Sequence, residues 1–299
     1  MSPPGDDPAL HLDASRVNAP FRLILCGVDA SRPSREAVQQ ALFLGRGGEV
    51  DFVSVTEVVG VGPTRRSQLE PARAETALGD ARDAAREAGV VAHCELVEAG
   101  DPARALVERG AQYDLLVLGS HGHSRAEAML VGTTAGIVLH RAAVPVWVAR
   151  PLLADPFPGP VVVGTRGRPE DGIVVELGAR VASAFGTPLT LLHVGETHSA
   201  GQRHELAVQT TRAQDFTGTE PVVVHEDGRP ADRIVAFAES VGAGLVAVGG
   251  SRRRGVRALR SVSESVGAHA RSSVLVVRRL QPGRSGAPSA SPESPFTSR

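Results

Sequence analysis

The sequence predicts two tandem α/β domains, each a doubly wound, five-stranded parallel sheet with helices on both faces. Segments typical of strands and of helices alternate along the chain. The strand-like segments are runs of Val, Leu and Ile with little polar alternation, as expected for parallel strands that are covered on both faces. The pattern then repeats after about 135–140 residues, which is too long for a solenoid repeat and suits a duplicated domain.

In the first copy, five apolar runs predict strands, and four amphipathic segments between them predict helices. Pro33 and Pro102 stand where the first turn of a helix tolerates proline. Right-handed crossovers then place the helices on both faces of the sheet. The predicted strands are 22–28, 50–56, 90–98, 114–119 and 144–149, and the predicted helices are 34–46, 66–88, 102–111 and 127–141.

Three stretches of the first copy recur in the second. FRLILCGVDASRPSREAV (21–38) matches PGPVVVGTRGRPEDGIVV (158–175), and VEAGDPARALVERGAQYDLLVLGSHG (97–122) matches VHEDGRPADRIVAFAESVGAGLVAVGGS (224–251). VPVWVAR (144–150) and SVLVVRR (273–279) each close a copy with an apolar run and an arginine.

These repeats predict a first domain at 21–150 and a second at 160–280. A short proline-rich linker at 151–159 joins them. The two ends of the chain, 1–20 and 281–299, are rich in Pro, Ser or Gly and lack periodicity, so we expect them to be disordered.

All 32 basic residues are arginine, and the chain contains no lysine. This excludes a phosphate loop, a protein kinase or a Schiff-base enzyme that uses its usual lysine. No apolar run approaches the ~20 residues of a membrane span, and the first residues do not resemble a secretory signal. Cys26 and Cys94 lie in apolar stretches, so we expect buried thiols in a reducing cytoplasm; a disulfide or a metal pair is the alternative.

A glycine-rich segment, LGSHGHSRAEAMLVGTTAGIVLH (118–140), follows the fourth predicted strand. Glycines allow a phosphate to approach the backbone, and the N–H groups of the next helix favour an anion. Such a site lies beyond the carboxyl ends of the strands, where the strand order switches. The alternative is that Gly119 and Gly122 only shape a turn. The pattern, G-x2-G-x9-G-[ST], is formed by Gly119, Gly122, Gly132 and Thr133, with Thr134 after it.

Asp29 ends the first strand, in GVDAS. The first and fourth strands are neighbours at the switch point, so Asp29 is predicted to lie beside the glycine loop. A phosphate would repel its carboxylate, which suits hydrogen bonds from a base or a ribose better. The alternative is that Asp29 caps the following helix.

The segments GVDASRPSREAVQQA and GDPARALVERGAQYDLLVLGSHG, together with G-x2-G-x9-G-T, resemble the universal stress protein family in its tandem form. The resemblance covers about 20–150 and, more weakly, 158–280. It implies the strand order 3-2-1-4-5 in each domain and binding of ATP, with Mg²⁺, in the first. The residues that it implies for the nucleotide are Gly27, Val28, Asp29, Val55, Leu118, Gly119, His121, Gly122, Gly132, Thr133 and Thr134.

The second copy departs from this pattern at the predicted nucleotide site. Gly249 or Gly250 matches the first glycine, Arg252–Arg254 covers the second, and Arg260 stands where the third belongs, in a loop about two residues shorter. Arg166 replaces Asp29. We therefore predict that the second domain keeps the fold and has a weakened or absent ATP site. A repurposed anion site is the alternative, because arginine binds phosphate well.

Together with this resemblance, these observations predict a cytoplasmic, ATP-binding regulatory protein of the stress response, with no catalytic residue assigned. The alternatives are a slow ATPase or nucleotide hydrolase that uses His121 as acid or base, and a nucleotide-free scaffold. His121 and His123 form an H-x-H pair, but no third ligand is suitably spaced, so no metal site is expected.

The expected partners follow from the same features. The resemblance implies that the fifth strands of the two domains pair antiparallel as an intramolecular pseudo-dimer, and two chains are expected to pair further as a homodimer. Residues 251–299 hold ten arginines and two glutamates. Nucleic acid is nevertheless not an expected partner, because no aromatic residues are interleaved with the arginines. Protein partners are not identified.

Overall fold

The first half of the chain contains ten of the helices and strands that the structure describes. The structure, a computed structural model, describes residues 19–59, 66–67, 71–120, 132–151, 157–195, 199–250 and 261–278. The first half contains β1 (Leu23–Gly27), α1 (Arg32–Leu44), β2 (Glu49–Val59), β3 (Arg66–Ser67), α2 (Pro71–Ala88), β4 (Val91–Ala99), α3 (Pro102–Gly110), β5 (Leu115–Gly119), α4 (Thr133–Arg141) and β6 (Val146–Ala149).

The second half repeats this alternation of strands and helices. A short 3-10 turn at Pro169–Asp171 precedes its first helix. Its elements are β7 (Val161–Thr165), α5 (Gly172–Phe185), β8 (Leu189–Val194), α6 (Ala200–Thr217), β9 (Val222–Glu226), α7 (Pro230–Ser240), β10 (Leu245–Gly250), α8 (Val262–His269) and β11 (Ser273–Arg278).

The two halves share one continuous sheet. The long strands of the first half are parallel in the order β4-β2-β1-β5-β6, and those of the second are parallel in the order β11-β10-β7-β8-β9. β6 and β11 join them in antiparallel register, with Trp147 opposite Leu275. The predicted class, tandem α/β domains with mostly parallel sheets, is confirmed, and the fifth strands pair within the chain.

Three element boundaries in the first half differ from prediction by more than two residues. The predicted helix 127–141 begins at Thr133, with Gly132 as its N-cap. The predicted strand 50–56 continues to Val59, and its end pairs antiparallel with β3. The predicted helix 66–88 begins only at Pro71, because Arg66 and Ser67 are strand residues. Pro33 and Pro102 do lie in the first turns of α1 and α3, as predicted.

Helices cover both faces of the sheet, and each face has a core that runs through both halves. α1, α2, α5 and α6 pack on one face, and α3, α4, α7 and α8 pack on the other. The central strands are therefore buried on both sides, which explains their unbroken apolar composition. The end of the linker contributes as well: Phe157 is buried and stacks on Phe43, with Trp147 beside it.

Two buried arginines join the halves reciprocally. Arg150, after β6, donates from Nη2 to the carbonyl of Gly267 at 2.7 Å, in the last turn of α8. Arg278, at the end of β11, donates to the carbonyl of Leu139 in α4. Burial lowers the pKa of Arg150, yet arginine stays charged because its ordinary pKa is so high. Each guanidinium thus stabilises the carbonyl end of a helix in the other half.

A buried glutamine lies at the centre of this junction. The side chain of Gln40, in α1, accepts from Trp147 Nε1 at 2.7 Å and from Ser273 Oγ at 2.8 Å. Its amide donates to the carbonyl of Arg150 at 2.6 Å. Gln40 therefore connects the first helix with the last strand of each half.

Both cysteines are free thiols. Cys26 is buried as predicted, but Cys94, on β4, is only partly buried because β4 is the outermost long strand of the first half. Among the residues that the structure describes, no helix is long and apolar enough to cross a membrane. The predicted disordered ends fall almost wholly outside the described ranges.

Candidate functional site

The carboxyl ends of β1 and β5 form the floor of the candidate site. The two strands are parallel neighbours, with Cys26 opposite Val117, so Gly27 lies beside Leu118. A Cβ on Gly27 would stand 2.5 Å from Leu118 Cδ2. Val28 is buried in the core, and its N–H donates to Val53. The side chains of Leu118 and Val28 pack between the strands and hold the strand ends together. A ligand at this edge would therefore contact the backbone of the strand ends.

Gly119 is where β5 meets the start of α1. A Cβ at this position would stand 2.7 Å from the backbone carbonyl of Pro33, so no larger residue fits without a shift. Close packing against Pro33 therefore explains a glycine at position 119 without any ligand. It brings the end of β5 against the first turn of α1, which narrows the crevice between them.

Asp29 shapes the turn between β1 and α1. Its Oδ1 accepts from the N–H of Ser31 at 2.9 Å, and its own N–H donates to Ser34 Oγ at 2.9 Å. The N-cap of α1 is Ser31, whose hydroxyl accepts from the N–H of Ser34. The alternative in which Asp29 caps the helix is thus wrong, and its half-buried carboxylate lies at the strand end.

The first turn of α4 faces the same end of the sheet. Gly132 is its N-cap, and the N–H of Gly132 donates to the carbonyl of Ser120 at 2.7 Å, which ties the helix start to the end of β5. Thr133 and Thr134 are exposed. The first turn carries no acidic residue and no side-chain cap. Its leading N–H groups have no acceptor within the helix and favour an anion.

The remaining predicted residues lie elsewhere or outside the described ranges. Val55 is in the middle of β2, four residues before its end, and is only partly buried beside the core; placing it at the strand end was wrong. His121 and Gly122 lie outside the described residues. The structure therefore gathers the ends of β1 and β5 and the start of α4 at one edge of the sheet.

In the second half, the helix that corresponds to α4 carries its own anion. Ser261 is the N-cap of α8; its hydroxyl accepts from the N–H of Glu264, and the Glu264 carboxylate accepts from the N–H of Ser261. This reciprocal arrangement is a capping box, and S-x-x-E is a readable sequence signal that the sequence analysis missed. A carboxylate thus occupies the place that α4 leaves without a side-chain cap.

The strand end of the second half is closed by an ion pair. Arg166 donates from Nη2 to Asp171 Oδ1 at 2.5 Å, and its N–H donates to Asp171 Oδ2 at 2.8 Å. Arg166 and Asp171 correspond to Asp29 and Ser34, so both positions differ between the two halves. The hydrogen bond with Asp171 raises the pKa of Arg166, whereas the side chain of Asp171 is almost wholly buried.

The sheet register settles the alignment of the two loops. Gly249 is opposite Val277 as Gly119 is opposite Ala149, so Gly249 matches the first glycine. The equivalent contacts of Arg150 with Gly267 and of Arg278 with Leu139 align Ser261 with Thr133, and so align Arg260 with Gly132, as predicted from sequence. The loop of the second half is therefore two residues shorter than that of the first.

The arrangement in the first half suits an anion better than a metal ion. Within the described ranges, no group of three or more His, Cys, Asp or Glu side chains is placed to hold a metal. The helix start offers N–H donors and two exposed threonines, and the strand ends offer backbone groups and the Asp29 carboxylate. Such a set combines anion donors with an acceptor for a hydroxyl.

The fold defines a protein of two tandem, doubly wound α/β domains that share one sheet. The sequence profile of the universal stress protein family matches residues 20–150 and again residues 159–278. The chain therefore belongs to the universal stress protein family, with two such domains in tandem.

Named relatives agree with this assignment. A universal stress protein of Mycolicibacterium smegmatis is 35% identical over 153 residues, which cover 49% of each chain. One of Mycobacterium tuberculosis strain H37Rv is 30% identical over 220 residues, which cover 65% of this chain and 66% of the relative. The chain thus spans about half to two thirds of the length of these relatives.

The fold also matches a solved structure. The crystal structure of a universal stress protein from Archaeoglobus fulgidus covers 88% of this chain and 99% of its own, with a TM-score of 0.67 and 21% sequence identity. At this identity the likeness supports the tandem fold alone.

Proposed function

We propose that the first half binds one molecule of ATP, with Mg²⁺, and that the chain is a regulator of the stress response that acts in the cytoplasm. The phosphates lie against the first turn of α4 and the glycine-rich segment before it. The adenosine lies against the ends of β1 and β2. The second half keeps the fold and has no ATP site of its own.

The difference between α4 and α8 carries this proposal. Both helices begin at the same edge of the sheet, after matching strands. The first turn of α8 contains Glu264, whereas that of α4 contains no acid and no side-chain cap. A helix start that faces a crevice and lacks its own carboxylate favours a phosphate; one that already holds a carboxylate repels it.

The strand ends support the adenosine part of the proposal. Asp29 is half-buried beside the switch point, where its carboxylate is an acceptor for a ribose hydroxyl. In the second half the corresponding Arg166 is bound to Asp171 and has no acceptor to offer. The chain is therefore expected to bind one ATP, and not two.

The test is to place a carboxylate in the first turn of α4, together with the serine cap that α8 has. We expect calorimetric titration of the wild type with ATP and Mg²⁺ to give one site per chain. Gly132→Ser with Thr134→Glu places a carboxylate at an exposed position of this turn and is expected to weaken ATP binding by at least about tenfold, since like charges then meet at the helix start.

The control is Gly132→Ser alone, which adds the cap hydroxyl without the carboxylate. Because the backbone of Gly132 is extended, serine is tolerated there. We expect this variant to bind ATP within about threefold of the wild type. Unchanged ATP affinity in the double variant contradicts the proposed placement of the phosphates.

The other two functions are separated by the same samples. Phosphate release from ATP that stops in His121→Ala supports a slow hydrolase. No heat with ATP in the wild type supports a nucleotide-free scaffold and overturns the proposal. The cytoplasmic location is supported by the two free thiols, one of them fully buried.

A further inference from the structure

A second group of polar side chains lies at the carboxyl ends of the strands in the second half. Thr165 ends β7, His193 is one residue before the end of β8, and His225 is one residue before the end of β9. The register pairs Thr165 with His193 and His193 with His225, so the three side chains are on one face of the sheet. Doubly wound folds bind their ligands at this edge.

One ring nitrogen of the buried His193 has no hydrogen-bond partner. The residue is only 2% exposed, and its Nδ1 lies 3.0 Å from the carbonyl oxygen of Thr165. Since a carbonyl only accepts, Nδ1 carries the proton and donates, which leaves a lone pair on Nε2 in the neutral ring. Nε2 is itself buried, and no donor among the residues that the structure describes bonds to it.

The polar groups around His193 already bond to one another. The hydroxyl of Thr165 donates to Oε1 of Gln209, in α6, at 2.6 Å. The amide of Gln209 donates to the carbonyl of Arg168 at 2.8 Å and to Glu205 Oε1 at 3.2 Å. Neither side chain therefore has a hydrogen left for Nε2. Because buried polar atoms are normally paired, a buried lone pair without a donor indicates a place for a bound ion or molecule.

His225 provides a second imidazole beside the first. The two ring centres are 5.5 Å apart, and the ring planes are inclined by 67°. With metal–nitrogen bonds of about 2.0–2.1 Å, two imidazoles on one tetrahedral ion have ring centres roughly 5 Å apart. A backbone carbonyl that holds the other N–H, as Thr165 does for His193, is also the usual arrangement of a metal-binding histidine. His225 is exposed, so the pair is open to solvent on that side.

The pair belongs to the second half alone. In the first half the corresponding positions are held by Ser54 and Leu96, which are paired between β2 and β4 as the two histidines are between β8 and β9. The first half thus forms the same strands without an imidazole at either position. The fold therefore does not require the pair, and a ligand accounts for it better than packing does.

We propose that His193 and His225 bind a transition-metal ion such as Zn²⁺, through Nε2 of His193 and one ring nitrogen of His225. Imidazole suits Zn²⁺, Cu²⁺ and Ni²⁺, whereas Mg²⁺ prefers oxygen ligands. Within the described ranges, no third His, Cys, Asp or Glu joins the two histidines. Water or a ligand carried by the ion takes the remaining positions. The site lies in the second half and does not depend on the proposed nucleotide site.

The test is a calorimetric titration of the metal-free full chain with Zn²⁺. The chain contains ten histidines, so the readout is the binding event that a variant loses relative to the wild type. His225→Ala removes one of the two protein ligands and is expected to weaken binding at this site by at least about tenfold. His225 is exposed on an edge strand, so the variant is expected to fold. His193→Gln removes the other ligand and is expected to lose the same binding event.

The matched control is His204→Ala, which removes an exposed histidine from α6 in the same half and is expected to leave Zn²⁺ binding unchanged. Zn²⁺ is also expected to raise the midpoint of thermal unfolding in the wild type more than in His225→Ala, because an ion that binds only the folded chain stabilises it.

Three results overturn the proposal. In the first, Zn²⁺ binding is the same in His225→Ala as in the wild type, so that a buried water and not an ion accounts for Nε2 of His193. In the second, His204→Ala weakens binding as much as His225→Ala, so that exposed histidines in general are responsible. In the third, excess Mg²⁺ displaces Zn²⁺, which is contrary to binding by imidazole. ATP affinity in His225→Ala is expected to equal that of the wild type, so failure here leaves the proposed function intact.

Discussion

The guanidinium of Arg150 lies 2.7 Å from the carbonyl oxygen of Gly267, 117 residues away in the chain. The bond joins the last strand of the first half to the last helix of the second. Arg278 makes the corresponding bond to Leu139 in the opposite direction. The two arginines therefore fix the angle between the halves as well as closing two helix ends.

Replacing Arg150 is expected to weaken the junction. Arg150→Ala leaves buried carbonyls of α8 without their donor and is expected to lower the free energy of unfolding by about 2–4 kcal/mol. Arg150→Lys is not expected to restore it, because an ammonium lacks the planar set of donors. Urea unfolding followed by the fluorescence of Trp147, the sole tryptophan, measures the change at the junction itself.

The control for this change is Arg271→Ala. Arg271 has a side chain that is 70% exposed and pairs with Glu239 on the surface. Its loss is expected to change the free energy of unfolding by less than about 0.5 kcal/mol. Equal effects of the Arg150 and Arg271 substitutions would show that the buried bond contributes nothing.

The two matching glycines are expected to respond differently to a methyl group. Gly119→Ala places a Cβ 2.7 Å from the carbonyl of Pro33 and is expected to cost about 1–3 kcal/mol of stability. Gly249→Ala meets only Asp171 Oδ1, at 3.6 Å, and is expected to be close to neutral. Thermal unfolding of the two variants compares them directly. A neutral Gly119→Ala would leave phosphate binding as the reason for that glycine.

Stability is expected to fall at alkaline pH because of Cys26. Burial raises the pKa of its thiol above the ordinary value of 9.0, so the folded protein keeps a proton that the unfolded chain loses. The contribution of the thiol is complete below pH 9 and is lost as the pH rises further. Each such group lowers the free energy of unfolding by about 1.4 kcal/mol per pH unit.

Urea unfolding at a series of alkaline pH values measures this slope. Burial also raises the pKa values of Cys94 and Tyr113, so they add to the slope in the wild type. Cys26→Ala is expected to reduce the slope by the contribution of one thiol, about 1.4 kcal/mol per pH unit. A slope that is the same in the wild type and in Cys26→Ala rules out Cys26 as a cause.

A homodimer, if two chains pair, is expected to form through β9. β6 and β11 are already paired with each other, whereas β9 ends the sheet of the second half and exposes Val222 and Val223. An exposed apolar edge invites pairing, and lysine on such an edge prevents it. Val222→Lys is expected to give monomers in sedimentation experiments at micromolar concentration. The matched control is Val91→Lys, on the opposite edge strand β4, which is expected to leave the dimer intact.

The interior of the fold was predictable because strands that are buried on both faces appear in the sequence as unbroken apolar runs. Apolar runs located β1, β5 and β6 to within two residues. The start of α2 was not predictable in this way, since the polar residues 66–67 fit a helix as well as the short strand that they form. Their pairing with the end of β2 depends on tertiary structure and not on local preference.

The site was predictable only where the signal was local. Gly119 lies at the expected strand end, whereas the helix that was predicted to start at 127 begins at Thr133. The capping box of Ser261 and Glu264 was readable in the sequence and was missed. Arg150 and Arg278 end matching segments of the two copies, and this repeat is visible in the sequence. Their hydrogen-bond partners lie in the other half of the chain, and no local sequence pattern indicates a contact over such a separation.

The shared sheet also has a consequence for how this chain can change over time. In an assembly of two identical chains, every substitution at the axis appears twice, and a new side chain must tolerate its own copy. Here one gene encodes both sides, and each position at the junction varies alone. Gln40 is one such case, because its bond to Ser273 connects two positions that need not match. The first turns of α4 and α8 are another: that of α8 carries Glu264, whereas that of α4 carries no acidic residue.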